Sequence, residues 1–392
     1  MRFYSLLALL LILGCKTAQI GTVGVDKNSV DSRLHFLSIK MEKYLDNLPL
    51  DSMAIPRALE ADGSLIASPA KQWTSGFFPG TLWQLYGFER SKKLEAAAKK
   101  WTSFIEMQKY DTHTHDLGFK INSCFGKGYE LKKDEHYKEV IIQASKTLIK
   151  RYNPTVGAIK SWDWSGDKWQ FPVIIDNMMN LEMLFDATDF TGDSTYYKVA
   201  YQHAKTTLKN HYRTGMSSYH VIDYDTLSGE VRNRHTHQGF SHESAWSRGQ
   251  AWGLYGFAHA YSRTGDKAFL EGAIKIADYF FNHPNMPKDL IPYWDFDAPN
   301  IPNEPRDVSA ATVAASALLQ LMKYDMANKD KYMAWVDRII TSLEEPKYQS
   351  NVTPFLLSQS TGSVPGNFEV NVPIVYGDFY YVETLLKRLT YF

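Results

Sequence analysis

Cysteine is almost missing from this chain: its 392 residues hold two, Cys15 and Cys124. That excludes a disulfide framework and a zinc site built on thiolates, and it leaves Cys124 as a small buried apolar residue. An excess of either charge is missing too, with 43 Lys and Arg against 43 Asp and Glu. No global field exists to hold a nucleic acid or an anionic membrane surface, so no nucleic-acid partner is expected. Strand-like alternation is scarce, and no low-complexity linker divides the body of the chain. Aromatic residues are abundant: ten Trp, 24 Tyr and 21 Phe exceed what an average core requires. Flat rings with polar tips suit stacking against sugars as well as packing.

A long apolar run occurs at Leu6–Leu13, between Arg2 and Gly14-Cys15. It is too short to span a bilayer and has the layout of an export signal. Ile12-Leu13-Gly14-Cys15 resembles a bacterial lipobox, whose cysteine is lipidated and becomes the mature N-terminus. The expected organisation is a signal peptide over residues 1–15, a polar tether over 16–30 and a single domain over 31–392. The expected location is the periplasm or outer membrane of a Gram-negative bacterium, with the lipid on Cys15 as the only membrane attachment. The competing reading is a secreted protein cleaved beyond Gln19, with Cys15 discarded.

Apolar residues recur at helical spacing, as in Phe269, Ala273, Ile276, Ala277 and Phe280, or Tyr196, Val199, Ala200, His203 and Ala204. The pattern predicts about twelve helices, near 32–46, 76–89, 92–107, 118–131, 134–151, 175–190, 194–211, 242–263, 267–282, 307–324, 329–343 and 375–389. Thr191-Gly192-Asp193 and Thr264-Gly265-Asp266 each close one helix with Gly and open the next with Asp. Asp134 and Asp330 stand in similar places before Tyr137 and Tyr332. Such punctuation marks αα-hairpins in series. About six of them close an all-α (α/α)6 toroid, with an inner helix ring and loops gathered over a central pocket. An open superhelix is the alternative.

Five loops combine polar and aromatic residues in ways that packing does not require: 72–77, 113–119, 175–177, 235–239 and 245–252. Two contain the triplets His113-Thr114-His115 and His235-Thr236-His237. Alternate residues of an extended segment project to one side, so a shared metal and a metal-dependent hydrolase form one reading. Hydrogen bonding of the same histidines to sugar hydroxyls or a carboxylate is the other. Asp176 follows the apolar run Val173-Ile174-Ile175 and is expected half-buried at a helix start. Burial there favours the protonated form that a general acid needs. Asp116 lies between His115 and Gly118, where the chain turns sharply into a helix. Each is a candidate catalytic carboxyl, with N-capping as its structural alternative. Two carboxyls facing across a Trp-lined pocket are a glycosidase arrangement. Arg248, between Trp246 and Trp252, offers its planar fork to a substrate carboxylate or else stacks on Trp at the surface.

At these loops the chain resembles the unsaturated glucuronyl hydrolases, glycoside hydrolase family 88. The matching segments are WTSGFFPG at 73–80, HDLGF at 115–119, IIDNMMNLE at 174–182, SYHVIDYD at 218–225 and THQG at 236–239. They continue with WSRGQAWGLYG at 246–256, PYWDFDAP at 292–299, RDVSAATVAASALL at 306–319 and VYGDFYYVETLL at 375–386, all in family order. The resemblance implies the (α/α)6 toroid, no metal and no cofactor. It implies substrates already cut by polysaccharide lyases: chondroitin-, hyaluronan- or heparin-type oligosaccharides that end in a 4,5-unsaturated uronic acid. That terminal ring is a vinyl ether, and the implied reaction hydrates it, with a proton to C4, water to C5, and loss of the aglycone sugar as the hemiketal rearranges.

By the same resemblance, Asp176 gives the proton and then helps activate water, while Asp116 holds the ring and the water. Trp73, Phe119 and Trp252 wall the uronate, and His115, His220, Gln238 and Arg248 bind it. Thr236 faces the second sugar, and Ser360 and Ser363 touch the aglycone. The chain departs from members that set a Ser-x-x-Ser-x-Lys pattern against a sulfated sugar, because Pro365 stands where the Lys would. This puts a preference for 6-sulfated galactosamine in doubt. Asn371 replaces an Asp common in relatives. A non-catalytic glycan-binding lipoprotein on the same toroid is the alternative function.

Overall fold

The computed structural model describes residues 25–352 and 354–392; the expected signal peptide with Cys15, and the tether up to residue 24, lie outside the described residues. Twelve α-helices form among the described residues. The first six are α1 (Lys27–Leu45), α2 (Phe77–Glu89), α3 (Lys92–Ser103), α4 (Lys127–Lys132), α5 (Glu135–Leu148) and α6 (Leu181–Thr191). The others are α7 (Ser194–Asn210), α8 (Ser247–Thr264), α9 (Lys267–Asn282), α10 (Val308–Leu321), α11 (Lys329–Leu343) and α12 (Val375–Leu389). None is long and apolar enough to cross a membrane.

Sequence decides which helices face inward. In α10 every residue from Val308 to Leu319 is buried, and most are Ala, Val, Ser or Leu, so the helix has no polar face to give to water. In α9 the buried residues form one stripe through Phe269, Gly272, Ala273, Ile276, Ala277 and Phe280, and the other side is solvated. Burying each of Phe269, Ile276 and Phe280 stabilises the fold by about 1.5–3 kcal/mol. The inner ring runs from α2 to residues 118–126, then 175–180 with α6, α8, α10 and α12, which returns to α2. The intervening helices α1, α3, α5, α7, α9 and α11 pack outside. The molecule is thus the (α/α)6 toroid.

Glycines let the inner helices approach one another. Gly76 and Gly80 of the α2 start lie against the carbonyls of Phe119, Lys120 and Ser123, and a Cβ on either would overlap them. Gly253 and Gly256 of α8 stand in the same way against Tyr212 and Met178. The hairpin punctuation is as expected at two turns, where Gly192 (φ 73°) and Gly265 (φ 69°) are left-handed. Asp193 and Asp266 follow and accept from the N–H groups of Thr195 at 2.8 Å and Ala268 at 3.0 Å. Asp134 caps α5 likewise, but Asp330 sits inside the first turn of α11, whose N-cap is Asn328.

Four expected boundaries differ. Helix α1 starts at Lys27, inside the expected tether, because Asp26 caps it through the Ser29 N–H at 2.7 Å. The expected helix 118–131 is a π-helical segment over 118–126 before α4, and the expected helix 175–190 opens as a 3-10 turn over 175–180. Residues 242–246 are loop and α8 begins at Ser247. Small sheets fill the loops: β1 (Ile55–Leu59) with β2 (Leu65–Ser68), β3 (Tyr152–Asn153) with β4 (Ala158–Ile159), and β5 (Pro172–Ile174), β6 (Val221–Tyr224) and β7 (Val231–His235). All pair antiparallel, with Val173 opposite Ile222 and Asp223 opposite Asn233.

Gly256→Ala forces a methyl into Met178, and overpacking of this kind destabilises by about 1–3 kcal/mol. The expected outcome is a clear drop in the thermal midpoint, while Gly215→Ala, in open space, leaves it unchanged. Equal midpoints for the two variants would contradict the close-packed inner ring.

Candidate active site

The N-terminal ends of the inner segments meet at one mouth of the toroid. Trp73 leads into α2, Asp116 precedes the 118–126 segment, and Asp176 sits in the 175–180 turn. Arg248 lies in the first turn of α8, Asp307 caps α10 and Tyr376 starts α12. Helix N-termini carry partial positive charge and free N–H groups, so a mouth built from them favours an anionic ligand. The mouth holds a cavity of ≈ 290 Å³ whose walls include Trp73, His115, Asp116, Phe119, Asp176, Gln238 and Arg248.

The strand β5 delivers Asp176 to the floor of this cavity, where the residue is 7% exposed. Its Oδ2 has no hydrogen-bond partner. Burial pushes the carboxyl up to about 6, against the pull of His115 and Arg248 and with a smaller push from Asp116. Burial pushes Asp116 upward as well, but its neighbours outweigh it and hold that carboxyl below its ordinary value. These are the His115 ring, 3.0 Å from Oδ1, the Thr114 hydroxyl, which donates to Oδ2 at 2.5 Å, and Lys120. Neither carboxylate caps a helix, so the N-capping alternative falls for both. Two carboxyls on one cavity are driven apart, one protonating near neutrality and the other ionised, which is how acid and base roles are divided between like groups.

His220 does not line the cavity; it lies beneath Asp176. Its Nδ1 accepts from the N–H groups of His237 at 3.0 Å and Gln238 at 3.1 Å, which assigns the ring proton to Nε2. Nε2 stands 3.6 Å from Asp176 Oδ2, and burial keeps the imidazole pKa well below its usual range. The ring is therefore a neutral donor facing the acid, buried and off the cavity wall.

Arg248 is neither a surface residue nor a free fork. It is fully buried, its Nη1 pairs with Asp307 Oδ2 at 2.8 Å and donates to the Thr361 carbonyl, and Nη2 donates to the Gly362 carbonyl at 2.7 Å. It spans α8, the α10 cap and the C-terminal loop, with its edge on the cavity. Trp73 and Phe119 line the cavity with ring centroids 5.3 Å apart, and Trp73 meets Tyr376 at 5.0 Å. Trp252 is fully buried behind Phe119 at 5.3 Å and supports the wall instead of forming it.

Gln238 reaches the cavity and donates to the Gly362 carbonyl at 3.2 Å. Thr236, Ser360 and Ser363 do not line it. The Thr236 hydroxyl accepts from Gly239 N–H at 2.8 Å and the Ser363 hydroxyl from Gly366 N–H at 3.1 Å, so both close turns. Ser360 is buried in a backbone bridge to Val372. The His-Thr-His triplets do not make a shared metal site: no group of three or more His, Cys, Asp or Glu suited to an ion occurs among the described residues. His113 is exposed, and His235 accepts from Trp169 Nε1 at 3.0 Å. Cys124 is buried and unpaired.

The sequence reading missed the outer wall. Trp162 and Trp164 stack at 4.5 Å and 21°, and His237 sits 5.0 Å from Trp164; all three line the cavity, with Trp164 half exposed. The signal was Trp162-Asp163-Trp164 in a short polar loop, two rings on alternate positions of one segment.

No family model matches the chain. It is 42% identical over 368 residues to an unsaturated glucuronyl hydrolase of Formosa agariphila, spanning 93% of this chain and 91% of that protein. It is 33% identical over 328 residues to an unsaturated chondroitin disaccharide hydrolase of Streptococcus agalactiae, spanning 81% of each. The crystal structure of an unsaturated glucuronyl hydrolase specific for heparin superposes with a TM-score of 0.88 at 42% identity, over 92% of this chain and 97% of that one. Likeness of this degree along nearly the whole toroid places the chain in the family of the unsaturated glucuronyl hydrolases, which are glycoside hydrolases.

Proposed function

We propose that the protein removes a 4,5-unsaturated uronic acid from the non-reducing end of lyase-generated glycosaminoglycan oligosaccharides. The observation that carries this reading is Asp176, an acid with a pKa of about 6 on the wall of a sugar-sized cavity, whose buried Oδ2 has no hydrogen-bond partner. Asp176 in its acid form gives its proton to C4 of the vinyl ether, leaving an oxocarbenium ion centred on C5. Water adds at C5 and returns a proton to Asp176. The hemiketal then opens, and the aglycone leaves as an alcohol, so one water is consumed and one glycosidic bond is lost. Asp116, ionised and fixed by Thr114 and His115, accepts hydrogen bonds from ring hydroxyls and from the incoming water. His220 lies beneath Asp176 with its Nε2 turned towards Oδ2 at 3.6 Å. The converging helix N-termini and the edge of Arg248 favour the uronate, Trp73 and Phe119 wall its ring, and the Trp162–Trp164 pair with His237 receives the second sugar.

The named relatives include one specific for heparin and one for chondroitin disaccharides, so both classes belong in a first substrate panel. We also infer from Leu6–Leu13 and Cys15 that the enzyme is exported and lipid-anchored in the periplasm or at the outer membrane of a Gram-negative bacterium. Cys15→Ser is then expected to abolish palmitate labelling and release the protein from the membrane fraction; unchanged labelling would overturn the anchor.

Asp176→Asn keeps the shape but has no carboxylic proton to deliver, so turnover is expected to fall at least about a hundredfold with binding retained. The readout is loss of the ultraviolet absorbance of the conjugated double bond, and turnover like that of the wild type would overturn the assignment. The pH profile has a sign as well. The acid form of Asp176 prevails below about 6, so kcat/KM is expected to fall tenfold per pH unit above that value. An activity that instead rises from pH 6 to 8 would contradict Asp176 as the donor.

A further inference from the structure

Asp116 and Asp176 stand on different segments, and one side chain ties the two backbones together. Asn180 closes the 175–180 turn that carries Asp176 and is fully buried. Its Oδ1 accepts from the N–H of Phe119 at 3.1 Å, across 61 positions of sequence. A backbone N–H can face only the oxygen of an amide, which fixes the orientation of the group. Phe119 lies in the first turn of the 118–126 segment, where an N–H has no partner within the helix. Leu117 at the N-cap has no side chain able to cap that turn, so Asn180 supplies the acceptor from outside. The same turn holds Asp116, because the N–H of Lys120 donates to the Asp116 carbonyl at 2.9 Å.

Gly118 lets the segments touch: a Cβ there would lie 2.6 Å from Asn180 Cα and 2.7 Å from its Oδ1. Asn180 Nδ2, by contrast, is buried with no hydrogen-bond partner. A buried donor left unsatisfied weakens a core, and a leucine of similar shape would avoid that loss. Packing alone therefore does not account for an amide at this position, whereas the bond to Phe119 does.

We propose that Asn180 is a positioning residue that sets the distance between Asp116 and Asp176 by locking the 118–126 segment to the 175–180 turn. It is not on the cavity wall and acts through the two carboxyls. This rests on the uronyl hydrolase reading, in which one carboxyl gives the proton and the other holds the water. Their spacing then decides whether proton and water reach adjacent carbons of one ring, and a misplacement of about 1 Å costs about a hundredfold in rate.

The test compares the full-length wild type with Asn180→Leu, Asn180→Asp and Asp266→Ala on unsaturated chondroitin and heparin disaccharides. Asn180→Leu keeps the volume and loses the acceptor, so kcat is expected to fall about ten- to a hundredfold with KM within about threefold of the wild type. Asn180→Asp still offers an oxygen to Phe119 and is expected to recover kcat to within about fivefold of the wild type. Asp266→Ala uncaps α9 on the outer layer and lowers the thermal midpoint without moving kcat. The charged and titratable groups facing Asp176 are His115, Asp116, His220 and Arg248, all unchanged in Asn180→Leu. A junction that opens admits water and relieves the burial that raises the acid's pKa, so the alkaline limb of kcat/KM moves to lower pH in that variant. If Asn180→Leu fails to fold, Gly118→Ala parts the same segments from the other side and carries the same expectations. A kcat like that of the wild type, an alkaline limb left in place, a kcat loss matched by Asp266→Ala, or an Asn180→Asp variant no better than Asn180→Leu would overturn the proposal. Absence of turnover by the wild type would instead remove the hydrolase reading on which it stands.

Discussion

Arg248 and Asp307 form an ion pair with no exposure to water, and the geometry of the pocket hangs on it. The guanidinium sits in the first turn of α8, the carboxylate caps α10, and the remaining donors hold the carbonyls of Thr361 and Gly362. Three elements far apart in sequence are thereby fixed at the rim of one cavity. Removing one partner of such a pair leaves a buried charge alone, at a cost of about 3–5 kcal/mol. The same cation lies near enough to Asp176 to temper the rise of its pKa. Burial alone would push that acid further up, and the positive groups nearby return it to the range in which a proton can both leave and come back.

The acid pair shows how little chemistry separates two carboxyls of opposite duty. Both are taken from water, and burial pushes both upward. Asp116 is met by a hydroxyl and an imidazole at hydrogen-bond distance, whereas Asp176 has one oxygen with no such partner. The difference in roles is a difference in hydrogen-bond donors, placed by loops that the inner helices position.

Most of the helical framework was legible in the sequence, because Gly192-Asp193 and Gly265-Asp266 declare a helix end and a helix start by local chemistry alone. The two catalytic candidates were legible as carboxylates next to apolar or turning segments. What could not be read depended on distant partners. The fate of Arg248 turns on Asp307, 59 positions away, and the burial of His220 turns on the N–H groups of His237 and Gln238. Thr236 and Ser363 resembled ligands in their motifs, but short-range turns consume their hydroxyls. The π-helical turn at 118–126 leaves no periodic signature. Asn371, for which the sequence offered no reason, has a positive φ and donates its N–H to the Thr361 hydroxyl at 3.2 Å, a backbone state Asn reaches at little cost.

The glycines of the inner ring have an evolutionary consequence. Gly is the poorest helix former after Pro, yet at the contacts of α2 and α8 a better helix former does not fit. Local propensity and tertiary fit therefore oppose each other on the inner ring and agree on the outer one. Tolerance to substitution is therefore expected to be graded by radius: the solvated faces of α3, α7 and α9 leave room for change, while at Gly76, Gly80, Gly253 and Gly256 the neighbours leave no volume for a methyl group. A change of substrate is then expected to arise in the loops at the mouth, which these close contacts do not constrain.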